Sequence, residues 1–118
     1  MADAEMEFDH VGVPTTERQR DENWVEQTRV WVTNPRQHPY RIEYLRFEPD
    51  SPCAWEIQNR PHVAYRVQSI DPYLTQGEIV LGPFQVADMA RVVFVKQHGL
   101  ITEYMQYLDG RWFGQDES

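Results

Sequence analysis

The chain has 118 residues, enough to bury the core of one domain without disulfide or metal staples, and its single cysteine excludes an internal disulfide. Its formal net charge of −8 argues against a nucleic-acid partner, because phosphate backbones are bound by clustered Lys and Arg. No apolar run approaches membrane-spanning length, and the N-terminal residues lack the basic and apolar regions of a secretory signal. We therefore expect a cytoplasmic protein with no membrane partner.

Three β-strands are predicted in the first half, over residues 8–13, 28–33 and 40–47, where β-branched and aromatic residues are frequent. The prolines of residues 35–39 indicate a hairpin loop between the second and third strands. Residues 14–26 are highly charged and lack apolar residues at helical spacing. We expect a loop or irregular turn there instead of a well-packed helix.

The second half has the predicted order strand, helix, three strands. Residues 62–67 are typical of a buried strand, and residues 69–74 of the capped start of a short helix. The three further strands are predicted over residues 79–81, 90–96 and 100–107. A turn at Gln97-His98-Gly99 precedes the last of them.

The two halves meet near Pro52 and Pro61, which interrupt any regular ladder. We interpret residues 1–118 as a single domain with module one at about 6–50 and module two at about 60–108. An acidic, polar tail at 109–118 follows. It is expected to be mobile unless its aromatic pair, Trp112 and Phe113, docks on the domain.

Each half places one histidine and one glutamate in an apolar, β-prone run: His10 with Glu43, and His62 with Glu103. An ionisable side chain in such a run is costly unless something binds it. Because strand side chains alternate between faces, all four can line one concave surface of a sheet. Imidazole nitrogens and carboxylate oxygens suit a divalent ion such as zinc, nickel, cobalt, manganese or iron. The repetition therefore predicts a four-ligand metal site whose ion the residues do not identify.

The same alternation assigns the opposite face. Val63, Tyr65 and Val67 fall on it and are expected to contact the core. Two further tyrosines, Tyr44 and Tyr104, also fall there, and we interpret them as packing residues.

Each candidate ligand also has a structural interpretation. A single strand histidine is more often hydrogen-bonded than metal-bound, and a single glutamate can pair with an arginine on a solvent face. Only the repeated pairing of both residue types favours a metal. His38 and His98 lie beside Pro39 and Gly99 in loops and are expected to be exposed.

Arginine dominates the basic residues, and Lys96 is the one lysine in the sequence. Arginine suits bidentate recognition of carboxylate or phosphate. Arg41 and Arg66 share predicted strand faces with the ligands, so they are candidate substrate-binding residues for a small, anionic substrate. Compositional bias and surface salt bridges explain arginines equally well.

The ligand runs resemble those of the vicinal oxygen chelate superfamily, which includes glyoxalase I, methylmalonyl-CoA epimerase, extradiol dioxygenases and bleomycin-resistance proteins. Residues 61–67 are similar to the family's ligand strand, and residues 99–105 to the closing strand with its ligand glutamate. In the first half, residues 8–13 and 42–44 resemble the opening ligand strand and its carboxylate strand. The resemblance weakens between residues 14 and 39, where the family's first helix is shortened.

This resemblance implies an α+β fold of two strand-helix-three-strand modules that form a curved mixed sheet, the first module with a shortened or missing helix. It implies a homodimer and a metal-dependent isomerase, epimerase or lyase. Such an enzyme abstracts a proton next to a carbonyl through a metal-stabilised enediolate, here with Glu43 or Glu103 as catalytic base. The ligand set is closest to those of glyoxalase I and methylmalonyl-CoA epimerase.

Two alternatives stay open. An iron-dependent extradiol-type dioxygenase would use His10, His62 and Glu103 alone, and Glu43 argues against it because a fourth protein ligand occupies a position that oxygen or substrate needs. A non-catalytic small-molecule binding protein of the resistance type usually lacks the ligands that this chain keeps.

Overall fold

A computed structural model describes residues 6–109 and 111–115, in which eight β-strands form one mixed, strongly curled half-barrel sheet. The strands are β1 (Met6–Pro14), β2 (Asn23–Val25), β3 (Val30–Val32), β4 (Ile42–Phe47), β5 (His62–Val67), β6 (Glu78–Val86), β7 (Ala90–Gln97) and β8 (Leu100–Tyr107). Their order across the sheet is β2-β3-β4-β1-β5-β8-β7-β6. The predicted α+β class with a curved mixed sheet is confirmed.

The four central strands form two parallel pairs, and the pairs meet through one antiparallel contact. β1 runs parallel to β4 and β5 runs parallel to β8, whereas β1 and β5 are antiparallel. Antiparallel strands extend the sheet on both sides, β3 and β2 beyond β4, and β7 and β6 beyond β8. Each half of the chain therefore supplies one parallel pair and two outer strands.

The two halves differ in the segment that follows their first strand. Residues 15–22 contain no helix, as the sequence predicts, whereas a 3-10 helix (Asp71–Thr75) follows β5. Ser69 Oγ accepts a hydrogen bond from the backbone N–H of Asp71 at 3.2 Å, but the N-cap residue is Ile70, which makes no side-chain cap, so the predicted capped start is wrong in detail. The segment expected to be a loop also contributes β2, which was not predicted.

The connections carry two further short helices. A 3-10 helix (Pro35–Gln37) lies in the predicted loop between β3 and β4, where the Asn34 side chain accepts from the backbone N–H of Arg36. The link between the halves contains α1 (Trp55–Asn59), which the flanking prolines did not suggest. Lys96 Nζ on β7 lies 2.7 Å from Glu56 Oε2 of α1, and Ile57 of α1 is buried. No described helix is long and apolar enough to cross a membrane.

Apolar side chains pack on both faces of the sheet. The face that carries the candidate ligands holds the larger cluster, which includes Val92, Phe94, Ile101, Met105 and Trp112. The opposite face holds a smaller one, formed by Val67, Ile70, Val93, Val95 and Tyr104. The prediction that the opposite face contacts the core is therefore correct for Val67, but Val63 and Tyr65 are only half-buried and most of the core lies on the ligand face.

The tyrosines and the tail complete the packing. The rings of Tyr104 and Tyr73 stack with centroids 4.0 Å apart, which confirms Tyr104 as a packing residue. In the tail, Trp112 is 1% exposed and Phe113 is half-buried, so the aromatic pair docks. The expectation of a mobile tail falls partly on Gly110 and residues 116–118, which lie outside the described residues.

Candidate metal centre

The four predicted ligands come together in one buried cluster on the central strands. His10 on β1, Glu43 on β4, His62 on β5 and Glu103 on β8 each offer a donor atom, and these atoms all lie within 4.8 Å of one another. Their residues are 0%, 5%, 3% and 6% exposed, respectively. Burying two carboxylates and two imidazoles together costs much free energy unless a positive charge lies among them.

Gly12 brings two of the ligands together across β1. It pairs with Glu43 on one side and with His62 on the other, so these three residues form one row across the sheet. A Cβ atom at Gly12 would lie 2.1 Å from Cε1 of His62, which means that the imidazole occupies the space above the glycine. The missing side chain is therefore what lets His62 lean towards the cluster.

Ala64 plays the matching part across β5. It pairs with His10 on β1 and with Glu103 on β8, and it is fully buried. In each half a small residue thus follows two positions after the ligand histidine. The sequence contains this signal as His-x-Gly and His-x-Ala, a second repeat beside that of the ligands.

The donor separations fit a divalent ion. His10 Nε2 lies 3.2 Å from Glu43 Oε1 and 3.4 Å from Glu103 Oε1, while His62 Nε2 lies 3.0 Å and 3.9 Å from Glu103 Oε1 and Glu43 Oε1, respectively. Zinc bonds of about 2.0–2.2 Å in a tetrahedron would separate such donors by roughly 3.3–3.6 Å. Moreover, His10 Nε2 is buried and has no aligned hydrogen-bond partner among the described residues. Two nitrogens and two oxygens thus surround a position suited to a metal ion.

Asp9 orients His10 from behind. The β1–β5 register shifts between Phe8 and His10, so Asp9 is the extra residue of a β-bulge. Asp9 Oδ2 lies 2.7 Å from His10 Nδ1, and the Tyr107 hydroxyl donates to both Asp9 oxygens at 3.2 Å. A carboxylate that holds one imidazole nitrogen fixes the ring so that the other nitrogen faces the metal. Strict alternation puts Asp9 on the other face, so sequence reasoning missed it.

Electrostatics favour a positive charge at the centre of the cluster. Burial alone raises the pKa of Glu103, but its contacts with His10 and His62 outweigh burial and lower that pKa to about 2. Burial likewise lowers the pKa of His10, but the charge of Glu43 and the contacts with Asp9 and Glu103 raise it well above its usual value. The carboxylates therefore stabilise either the protonated form of His10 or a bound cation. A metal ion that binds to His10 would displace its proton.

An apolar cavity of about 50 Å³ lies beside the cluster. Its wall includes residues of the outer strands, the linker and the tail, among them Val32, Leu45, Ile57, Val92, Phe94 and Trp112. Glu43 and Glu103 line it, whereas the two histidines do not. A small molecule in the cavity would therefore meet the two carboxylates.

The remaining sequence candidates lie outside this cavity. Arg41 is exposed and precedes β4, and Arg66 stacks on the Tyr107 ring at 4.3 Å with its Nη2 3.5 Å from Asp9. Neither lines the cavity. His98 is exposed as predicted, whereas His38 is half-buried.

Comparison with known proteins supports the fold. No protein-family model matches the chain, and no curated protein matches it. The crystal structure of a hypothetical protein, BH1468, from Bacillus halodurans matches with a TM-score of 0.62 and 20% sequence identity, over 85% of this chain and 93% of that chain. The chain is thus similar in fold to that hypothetical protein, a likeness that shows the fold alone.

Proposed function

We propose that the chain is a metal-dependent enzyme of the vicinal oxygen chelate superfamily that moves a proton next to a carbonyl, as an isomerase, epimerase or lyase. The observation that carries this proposal is the convergence of His10, Glu43, His62 and Glu103, with all four donor atoms within 4.8 Å. The curled mixed sheet, with its two parallel pairs, supports the assignment to that superfamily.

The chemistry follows from the two glutamates at the cavity wall. A divalent ion in the cluster would polarise a carbonyl oxygen and offset the negative charge that develops as the neighbouring carbon loses its proton. The proton needs an acceptor within hydrogen-bond reach, and Glu43 and Glu103 are the carboxylates that face the cavity. The apolar wall limits access of water to the reacting carbon.

Glu43 is the better base of the two. Glu103 Oε1 lies 3.0 Å from His62 Nε2, whereas Glu43 Oε1 lies 3.9 Å from the same nitrogen and is held less closely in the cluster. The less tightly held carboxylate moves more readily towards a substrate carbon. Glu43 would take the proton and return it to the adjacent carbon, while Glu103 would hold its place.

Metal titration tests the centre itself. Purified apo protein titrated with zinc, nickel, cobalt, manganese and ferrous ion should bind one equivalent of at least one ion, and His62→Ala should weaken that binding about a hundredfold. His98→Ala, at an exposed turn histidine, is the matched control and should bind as wild type. The absence of stoichiometric binding, or unchanged binding by His62→Ala, would contradict the proposal.

Proton exchange tests the reaction. A panel of hydroxy-carbonyl compounds in deuterated water should include one that exchanges its α-proton only with metal-loaded protein, detected by NMR. Glu43→Gln should keep the metal and lose exchange, while Glu103→Gln should lose affinity for the metal. If metal-loaded protein binds members of the panel but exchanges no proton, the apolar cavity instead belongs to a non-catalytic binding protein.

A further inference from the structure

The charged and polar side chains that line the cavity indicate which substrates it can bind. Its lining contains no lysine, arginine or histidine among the described residues. Apart from the two glutamates, its groups with a polar hydrogen are those of Thr28, Cys53 and Trp112. Trp112 is 1% exposed, and its indole Nε1–H has no acceptor in the described part of the chain. The wall therefore includes an unpaired buried donor and, among the described residues, no positively charged side chain.

From this wall we infer that the site takes a small substrate that is uncharged and apolar beyond its metal-binding oxygens, such as an aliphatic hydroxyketone, and rejects carboxylated or phosphorylated compounds. The inference rests on the proposed function, since it assigns a substrate class to the same site. It also departs from the anionic substrate that the arginine content suggested.

Charge balance is the first reason. A divalent ion with Glu43 and Glu103 leaves a local charge near zero, and a neutral substrate keeps it there because the proton that leaves carbon stays on a glutamate. A carboxylate or phosphate on the substrate would add a negative charge that no cation in the described lining neutralises. Burying such an unpaired charge against apolar side chains costs far more than burying a methyl group.

The positions of the arginines are the second reason. Arg66 Nη2 lies 3.5 Å from Asp9 and its guanidinium lies over the Tyr107 ring, behind His10 and away from the cavity lining. Arg41 is exposed outside β4. Neither is placed to hold an anionic group of a molecule bound beside Glu43 and Glu103.

The size of the cavity sets the size of the substrate. A volume of about 50 Å³ is small beside the roughly 300–1,000 Å³ of clefts that take drug-sized ligands. A chelating pair of oxygens on a short aliphatic chain is therefore the expected occupant.

Two metal chelators of equal length separate charge from chelation. Butyrohydroxamic acid and succinic monohydroxamic acid share the hydroxamate and differ by a terminal methyl against a carboxylate. Calorimetric titration of zinc-loaded protein should show at least tenfold tighter binding of butyrohydroxamic acid. Equal or tighter binding of succinic monohydroxamic acid would overturn the inference, as would the failure of both to bind.

A second pair makes the result independent of the metal. Butyramide and succinamic acid lack the chelating group, and both can be added to metal-free protein while the Trp112 indole N–H resonance is followed by NMR. Butyramide should shift that resonance at lower concentration than succinamic acid. If the protein binds no zinc but prefers butyramide, the proposed function is refuted and the inference of an apolar site stands. If it prefers succinamic acid, only the inference of an apolar site is overturned.

A variant at the wall tests charge as the cause. Leu81 on β6 lines the cavity and is half-buried, so a longer side chain there can reach a ligand. Leu81→Arg should reduce the preference for butyrohydroxamic acid at least tenfold, whereas the uncharged control Leu81→Gln should leave the ratio within about threefold of wild type. An unchanged ratio in Leu81→Arg would refute charge as its cause.

Discussion

Gly12 is the position where one added methyl group should disable the metal centre without altering a ligand. A Cβ there would lie 2.1 Å from Cε1 of His62 and 2.6 Å from both ring nitrogens, separations that non-bonded atoms do not adopt. The ring cannot simply retreat, because Phe94 packs edge-on against it with centroids 5.1 Å apart. In Gly12→Ala, His62 must therefore leave its place among the donors.

The expected loss follows from the number of ligands. Four-ligand zinc sites bind with about 10–16 kcal/mol, so one ligand contributes roughly 3 kcal/mol, or on the order of a hundredfold in affinity. The fold should survive, because overpacking a core typically costs about 1–3 kcal/mol. Gly12→Ala should thus weaken zinc binding about a hundredfold while it keeps a cooperative unfolding transition.

Zinc affinity measured by chelator competition, together with urea unfolding, checks this prediction. Gly99→Ala is the control for zinc binding, since a Cβ there meets nothing within 4 Å; its φ of +78° strains an alanine, so this variant should lose some stability and bind zinc as wild type. Because Gly12 acts through His62, Gly12→Ala in combination with His62→Ala should bind no more weakly than His62→Ala alone. Wild-type affinity in Gly12→Ala, or additive losses in the double variant, would refute the reasoning.

Three further predictions concern the surroundings of the ligands. Asp9→Asn should weaken metal binding about 10–100-fold, because it no longer fixes the His10 ring; competition titration beside the exposed control Asp71→Asn checks this, and equal affinities would contradict it. The second prediction concerns urea unfolding of the apo protein at a series of pH values. Because the pKa of His10 is higher in the folded than in the unfolded protein, its contribution to stability should be complete below the unfolded-state pKa and should be lost as the pH rises through the folded-state pKa. Because the pKa of Glu103 is lower in the folded protein, its contribution to stability should be present above the unfolded-state pKa and should be lost as the pH falls towards about 2. An unfolding free energy that does not change with pH would contradict both expectations. Trp112→Ala should cost about 3–5 kcal/mol of unfolding free energy as a buried aromatic truncation, whereas Trp55→Ala, at 63% exposure, should change it little; similar thermal shifts would count against docking of the tail.

The sequence predicted the ligands because two rules agreed. Ionisable residues in apolar runs need a partner, and the twofold period of a strand places His62 on one face and Val63 on the other. Both rules are local, so they hold without knowledge of the topology. The meeting of the four side chains also needed the strand order β4-β1-β5-β8, which the residues alone did not specify. The homodimer that the resemblance implied stays a prediction.

The missed features are those where local rules break. The bulge at Asp9 adds one residue to β1, so that two consecutive side chains, Asp9 and His10, contact each other beside the cluster. The helix α1 is only five residues long and forms between prolines that indicate a break. Trp112 is buried through contacts with residues distant in sequence, including the ring of His10 at 5.6 Å, and a local pattern does not encode such contacts.

The two halves supply equivalent ligands but not equivalent supports. His10 follows an aspartate that holds its Nδ1, whereas His62 follows Pro61, which offers no such group, and is positioned by the space above Gly12. For the carboxylates, the second half has the more closely held ligand. Glu103 lies within 3.4 Å of both ligand histidines, whereas Glu43 lies that close only to His10. One edge of the cluster, from His62 to Glu43, is therefore its loosest, and Glu43 on that edge also lines the cavity. Under the proposed function, this looser position makes Glu43 the carboxylate that takes the proton, while Glu103 stays with the ion.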